Sequence, residues 1–168
     1  MTIIPLSDIP PSQVEALLDR AFGTDRRART AYRLRAGTTA IGALSLAALD
    51  DDGGLAGTIQ CWPVQLSGDD GTTAPMILVG PVAVEPANQR GGVGRELMAR
   101  MLAVADASDL PGTSALMLIG DPEYYGRFFD FTAAATGGWR LPGPFERHRL
   151  LARGGRVPSG AGAVEPRP

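Results

Sequence analysis

The segment from Ile77 to Leu97 constrains this chain more than any other. Ile77 to Val84 is apolar and rich in branched residues, Pro86 closes that run, and a loop with Arg90, Gly91, Gly92 and Gly94 follows. From Val93 the apolar residues recur at helical spacing. Leu97, Met98, Met101, Leu102 and Ala105 share one side, and Arg95, Glu96, Arg100 and Asp106 take the other. The pattern predicts a strand over 76–84, a glycine-rich turn, and a helix over 93–106. A strand that feeds such a turn at a helix start points several backbone N–H groups into one small volume. With the helix dipole behind them, these donors suit a phosphate or diphosphate. A plain tight turn is the other reading of Gly91 to Gly94.

The residue inventory removes several chemistries. The chain contains no lysine, so neither a Gly-Lys-Ser/Thr phosphate loop nor a lysine Schiff base can form. One histidine, His148, and one cysteine, Cys61, exclude a zinc site built from thiolates or a histidine pair. No metal is expected. Backbone amides, carboxylates, arginines, hydroxyls and tyrosines remain. A dinucleotide fold is disfavoured because Leu97 stands where the third glycine of that fingerprint belongs. A net charge of -2 gives no general attraction to nucleic acid or membrane, and no apolar run approaches the length of a membrane helix. The start of the sequence lacks the basic and apolar regions of a secretory signal, and with a single cysteine a cytoplasmic protein is expected.

The remaining segments supply the elements of one α/β domain over residues 1–153. Thr2 to Leu6 can form a short strand. Val14, Leu17, Leu18 and Phe22 mark one face of a helix over 12–22, and the arginine-dense stretch 25–35 reads as a second helix with a solvated basic face. Two β-compatible runs, 40–49 and 55–66, flank Asp50-Asp51-Asp52-Gly53-Gly54 and predict a hairpin, with the aspartates serving the turn rather than a metal. A buried strand is expected over 114–119, a helix capped by Asp121 with Pro122 at its first position, and a last strand over 147–153. Residues 154–168, rich in glycine and proline, are expected to form a flexible tail. The order gives a mixed sheet flanked by helices. Strands joined by tight turns should be antiparallel, and the strand–helix–strand crossover from Met76 to Ile119 parallel.

Two motifs carry a resemblance. Gln89, Gly92 and Gly94 fill the Gln/Arg-x-x-Gly-x-Gly/Ala pattern found between strand and helix in the GCN5-related N-acetyltransferases (GNAT family). Independently, Gly120-Asp121-Pro122-Glu123-Tyr124-Tyr125-Gly126-Arg127-Phe128, with Leu141-Pro142-Gly143-Pro144 after it, is similar to the signature of the YhbS-like bacterial branch. The resemblance spans about residues 40–152. It departs at Phe129-Asp130-Phe131, where the family usually has Gly-Phe shortly after the tyrosine, and in the absence of an acidic residue on the strand before Glu85.

The resemblance implies a mostly antiparallel GNAT sheet, acetyl-CoA as co-substrate, and direct transfer of its acetyl group to a primary amine. In that fold Gln89, Arg90, Gly91, Gly92, Val93, Gly94 and Arg95 would hold the phosphates, while backbone groups of Val82, Ala83 and Val84 would orient the thioester. By spacing to the family tyrosine, Tyr125 would be the general acid, with Tyr124 as second choice. The acceptor, a small-molecule or peptide amine, carries no motif; Phe22, Tyr32, Trp62 and the loop near Trp139 are its candidate contacts. Two other classes stay open: a non-catalytic acyl-CoA sensor, and a toxin-type acetyltransferase acting on aminoacyl-tRNA. The second would need a basic surface, which the net charge disfavours. A homodimer is compatible with such a chain, and the sequence does not select an oligomeric state. His148 and Cys61 read as structural residues, and the arginines between 26 and 35 as a solvated face or a cradle for an acidic acceptor.

Overall fold

The helix phase of Val14, Leu17 and Leu18 is realised in α1 (Pro11–Phe22), where all three are buried with Ile9, Ala47 and Ala83. A computed structural model describes residues 1–88 and 91–168. Among the described residues there are eight strands and four helices. The strands are β1 (Thr2–Pro5), β2 (Leu46–Leu49), β3 (Leu55–Gly68), β4 (Thr73–Val84), β5 (Leu116–Ile119), β6 (Trp139–Arg140), β7 (Leu150–Arg153) and β8 (Gly162–Pro166). The other helices are α2 (Thr30–Arg33), α3 (Val93–Asp106) and α4 (Pro122–Phe129). Hydrogen bonding orders the sheet β1-β2-β3-β4-β5-β7, with β8 pairing β3 and β6. This is the mixed, mostly antiparallel sheet expected. No helix among the described residues is long and apolar enough to cross a membrane.

The chain divides into two compact units. One comprises residues 1–27, 40–61 and 80–107. In it β1 and β2 pair antiparallel from Thr2↔Leu49 to Pro5↔Leu46, and β2 continues onto β3 through Leu46↔Ile59. The β2–β3 turn is closed by Asp50, whose Oδ1 accepts from the N–H groups of Asp52 and Gly54 at 2.9 and 2.8 Å. Asp50 therefore serves the turn, as anticipated, while Asp51 Oδ1 accepts from the N-terminal ammonium at 2.7 Å. Helix α3 buries Val93, Leu97, Met98, Met101, Leu102 and Ala105, the stripe read from the sequence.

The stretch 25–35 departs from the single solvated helix expected. Residues Arg26–Ala28 form only a 3-10 turn. The Arg26 side chain is buried rather than solvated: Nε donates to Asp19 Oδ1 at 3.0 Å, and Nη2 donates to Glu15 Oε2. Glu15 and Asp19 lie four apart on α1 and so project from one face. A guanidinium can satisfy both carboxylates only by folding down onto that helix, and this contact overrides local helix propensity.

The second unit comprises residues 28–39, 62–79 and 108–168. Here β4 pairs parallel with β5 through Ile77↔Leu116 and Leu78↔Met117, and β5 pairs antiparallel with β7 from Leu116↔Arg153 to Ile119↔Leu150. Residues 154–168 do not form a loose tail throughout. Gly162–Pro166 is strand β8, antiparallel to β3 from Val64↔Pro166 to Gly68↔Gly162 and parallel to β6 at Trp139↔Gly162. Val164 is buried, and the Arg167 guanidinium donates to the carbonyls of Val64, Met76 and Pro111 at 3.0–3.3 Å. An edge supplied by β3 and three carbonyls supplied by other segments order a stretch whose composition alone predicts disorder.

Candidate active site

In the first unit the end of β4 and the start of α3 form one arrangement. Glu85 N–H donates to Ala56 O at 2.8 Å, which fixes the phase of the strand end. Backbone groups alternate sides along a strand, so the N–H of Ala83 faces β3 while those of Val82 and Val84 face away from it. Val82 and Val84 are thus the two outward donors of the three residues expected to meet the thioester. Beyond the strand, Gly91 N–H donates to Asn88 O at 3.0 Å and closes the turn. That donor is spent on the loop itself.

Gly92 then takes the left-handed conformation (φ +74) that only glycine adopts without strain, and open space surrounds the place of a Cβ. Its carbonyl accepts the first helical bond, from Glu96 N–H at 3.1 Å. The amides of Gly92, Val93 and Gly94 therefore precede the hydrogen-bond ladder of a 14-residue helix. Among the described residues no side chain caps that terminus. A Cβ on Gly94 would stand 3.4 Å from Val84 Cγ2, so the helix start rests directly on the strand end. Amides at a helix terminus, open space beside Gly92 and outward donors on Val82 and Val84 make a surface suited to a diphosphate and an amide-bearing arm. Gln89 and Arg90, also expected at this site, lie outside the described residues. Arg95 is exposed on the first turn of α3.

Glu85 offers no free base here. Its carboxylate accepts from Arg20 Nε at 3.0 Å and Nη2 at 2.7 Å, a two-pronged pairing between the strand end and α1. Cys61 is buried, and burial pushes its thiol up to about 12, so no thiolate nucleophile forms near neutral pH.

The tyrosines belong to the second unit, on α4. Asp121 caps that helix, its Oδ1 accepting from Glu123 N–H at 3.0 Å, with Pro122 at the first position as expected. The Tyr124 and Tyr125 rings meet edge to face, with centroids 4.9 Å apart, and Phe131 closes on Tyr125 at 6.2 Å. On a further side Gly120 leaves no room: a Cβ there would fall 2.5 Å from Tyr125 Cε2. Burial, reinforced by Tyr124, pushes the Tyr125 hydroxyl up to about 12. It therefore stays protonated through the physiological range and can donate.

The departure at Phe129-Asp130-Phe131 has a structural answer. Asp130 adopts the left-handed conformation (φ 61), and its N–H and that of Phe131 both bond to Tyr125 O. Aspartate is among the few residues that tolerate this conformation, so it does the work of the family glycine. Asp130→Gly should then raise stability by about 0.5–1 kcal/mol, read as an increase in thermal midpoint with unchanged turnover. A fall in midpoint would mean that the Asp130 side chain contributes something its backbone does not.

Of the candidate acceptor contacts, Phe22 packs against the apolar cluster of α1, and Trp139 is fully buried on β6. Tyr32 and Trp62 instead flank the Arg35 guanidinium, with ring centroids 4.2 and 4.0 Å from Cζ. Nothing in the chain around it singles out Arg35 among its neighbours. Only its aromatic spacing to Tyr32 hinted at it, and Trp62 is remote in the chain. His148 is exposed, 3.5 Å from Glu146 Oε2.

Comparisons with known proteins bear on this geometry. A family model described as "Acetyltransferase (GNAT) domain" matches residues 3–129. The uncharacterized N-acetyltransferase YhbS of Escherichia coli K12 is 32% identical over 141 residues, which cover 82% of this chain and 80% of YhbS. A crystal structure of YhbS from Escherichia coli in complex with CoA is similar at TM-score 0.71 and 26% identity, covering 99% of this chain and 89% of that one. A GNAT acetyltransferase of Brucella melitensis, solved with acetyl-CoA, shares the fold at TM-score 0.64 and 24% identity, covering 98% and 94%.

Proposed function

The chain belongs to the GNAT family and is an N-acetyltransferase; from that premise we propose that it transfers acetyl from acetyl-CoA directly to a primary amine. The observation that carries the reading is the start of α3 at Gly92, left without a side-chain cap among the described residues and seated on the end of β4. There the amides of Gly92, Val93 and Gly94 bind the diphosphate of the co-substrate, and the outward N–H groups of Val82 and Val84 take the pantetheine arm and polarise the thioester carbonyl. Arg95, and Arg90 before it, add positive charge for the phosphates.

The chemistry is one displacement. The neutral amine attacks the carbonyl carbon, the C–S bond breaks, and Tyr125 donates a proton toward the departing thiolate. The acceptor nitrogen loses its proton to water, since Glu85 is held by Arg20. Fixing amine and thioester together can supply about 7 kcal/mol or more of the acceleration. Tyr124 lies against Tyr125 and keeps its ring in place.

The sensor alternative loses its motive, because Asp130 closes the helix as the family glycine would. The RNA-directed alternative loses support as well: Arg26 is buried and, like Arg27, is paired with α1 carboxylates rather than displayed to a backbone. The test is calorimetric titration with CoA, followed by thiol release from acetyl-CoA over an amine panel. Micromolar CoA binding with amine-dependent thiol release is expected. Well-folded protein that binds no CoA would remove the reading, and CoA binding with no thiol release for any amine would return it to a sensor.

A further inference from the structure

Glu85 is the residue at which the two donor sets of the first unit join. Val82 and Val84, with their outward N–H groups, stand just before it, and the turn that leads to Gly92, Val93 and Gly94 begins just after it. Its N–H, its carbonyl and its carboxylate are all engaged. The N–H donates to Ala56 O on β3 at 2.8 Å, and the carbonyl accepts from Asn88 N–H at 2.7 Å. The carboxylate accepts from Arg20 Nε and Nη2 at 3.0 and 2.7 Å. The backbone bonds thus tie the junction to β3 and to its own turn, while the side chain ties it to the last turn of α1. That helix is seated beside the strand, since Val14, Leu17 and Leu18 share a buried cluster with Ala83.

Stability does not account for the ion pair. Arg20 is half-exposed, and a solvated pair adds little to the folding free energy. Its position does account for it. The turn after Glu85 is weakly restrained from within, because Pro86 brings no N–H and Gly91 and Gly92 permit many backbone conformations. An anchor on α1 restrains it from outside. Donors aimed at two parts of one ligand act together only while their separation is fixed.

We propose that Arg20 and Glu85 are positioning residues for the co-substrate: their ion pair holds, from α1, the spacing between the amides that meet the diphosphate and those that meet the pantetheine arm. The proposal rests on the acetyl-CoA reading of this site. Charge alone makes the opposite forecast for one partner. CoA is an anion, so a carboxylate beside its site repels it, and removing Glu85 would tighten binding. If Glu85 acts through position, its removal weakens binding.

The experiment is calorimetric titration of CoA into the full chain, Arg20→Ala, Glu85→Ala and the double variant. On ¹⁵N-labelled protein without ligand, the amide resonances of Gly91, Gly92 and Gly94 are followed in parallel. Each single substitution should raise Kd by about tenfold, and the double variant should bind no worse than the weaker single. Arg20→Lys should recover part of the loss, because an ammonium reaches the carboxylate without the fork. The three glycine amides should shift alike in both singles, while the thermal midpoint stays within about 3 °C of the parent. Tighter or unchanged binding in Glu85→Ala overturns the proposal, as does a double variant whose loss is the product of the two. If the parent protein binds no CoA, the acetyl-CoA reading fails separately, and the amides decide: a common shift in both singles sustains the pair's control of the α3 start, and unmoved amides end the proposal. Should Arg20→Ala not fold, the sign of the change in Glu85→Ala still decides.

Discussion

Tyr125→Phe should lower turnover by about 100-fold or more while CoA affinity stays within about twofold. The expected loss follows from what the hydroxyl alone does. The ring is held by Tyr124, Phe131 and the bare backbone of Gly120, and phenylalanine preserves all three contacts. Only the proton donor is removed, and a thiolate then departs without assistance. The sign of the pH dependence can be worked out from the same residue. Burial pushes the hydroxyl up to about 12, so the donating form predominates at every pH below that value. Wild-type activity should therefore climb as the acceptor amine loses its proton and show no alkaline decline below about pH 10. In Tyr125→Phe the loss should be nearly uniform over the same range. Steady-state rates across pH, with calorimetry for CoA, make the measurement. Unaltered kcat in the variant would reassign the acid, with Tyr124 the next residue to replace.

Gly57→Ala should weaken CoA binding by about 100-fold although Gly57 does not belong to the loop. A methyl there would lie 2.7 Å from Val93 Cγ1, 2.9 Å from Ala83 O and 3.2 Å from Leu97 Cδ1. Val93 opens α3, and Ala83 sits between the two outward donors of β4. The first contact can be relieved by a rotamer change. The second is a backbone oxygen and can be relieved only by moving β4 or β3. Either shift separates the amides of Gly92 to Gly94 from those of Val82 and Val84. Overpacking of this kind also costs about 1–3 kcal/mol of stability. Gly42→Ala, where a Cβ meets nothing within 4 Å, is the control and should leave both properties nearly unchanged. If Gly57→Ala binds CoA as tightly as the parent protein, α3 does not need its present seat on the strand, and the diphosphate assignment to that terminus is wrong.

The elements that the sequence displayed most openly are those whose signals are local. The stripe Leu97, Met98, Met101, Leu102 predicts α3 to the residue, and Asp121 followed by Pro122 predicts the start of α4. The turn at Asp50 to Gly54 is likewise written in its side chains. Signals that depend on distant partners were not visible. Residues 154–168 carry no hydrophobic period, yet β3 provides an edge on which Gly162–Pro166 becomes a strand. The arginines of 25–35 look alike in sequence. One is buried against two carboxylates of α1, and another lies between Tyr32 and Trp62.

The candidate site divides along the same line. Glycine at position 92 and the apolar strand before it announce a phosphate-binding turn, because backbone freedom and side-chain volume are properties of a residue itself. Which amides remain available is decided in three dimensions. Gly91 spends its N–H on Asn88, Ala83 turns its own toward β3, and Glu85 gives its N–H to Ala56 O while its carboxylate accepts from Arg20, none of which spacing can reveal. The sequence by itself determined the helix and strand periods, the turn at Gly92 and the chemistry excluded by a chain without lysine. Tertiary structure decided the partners of groups remote in the chain, such as Arg26, Glu85 and Arg167, because a hydrogen bond depends on where two groups meet and not on how far apart they stand in the chain.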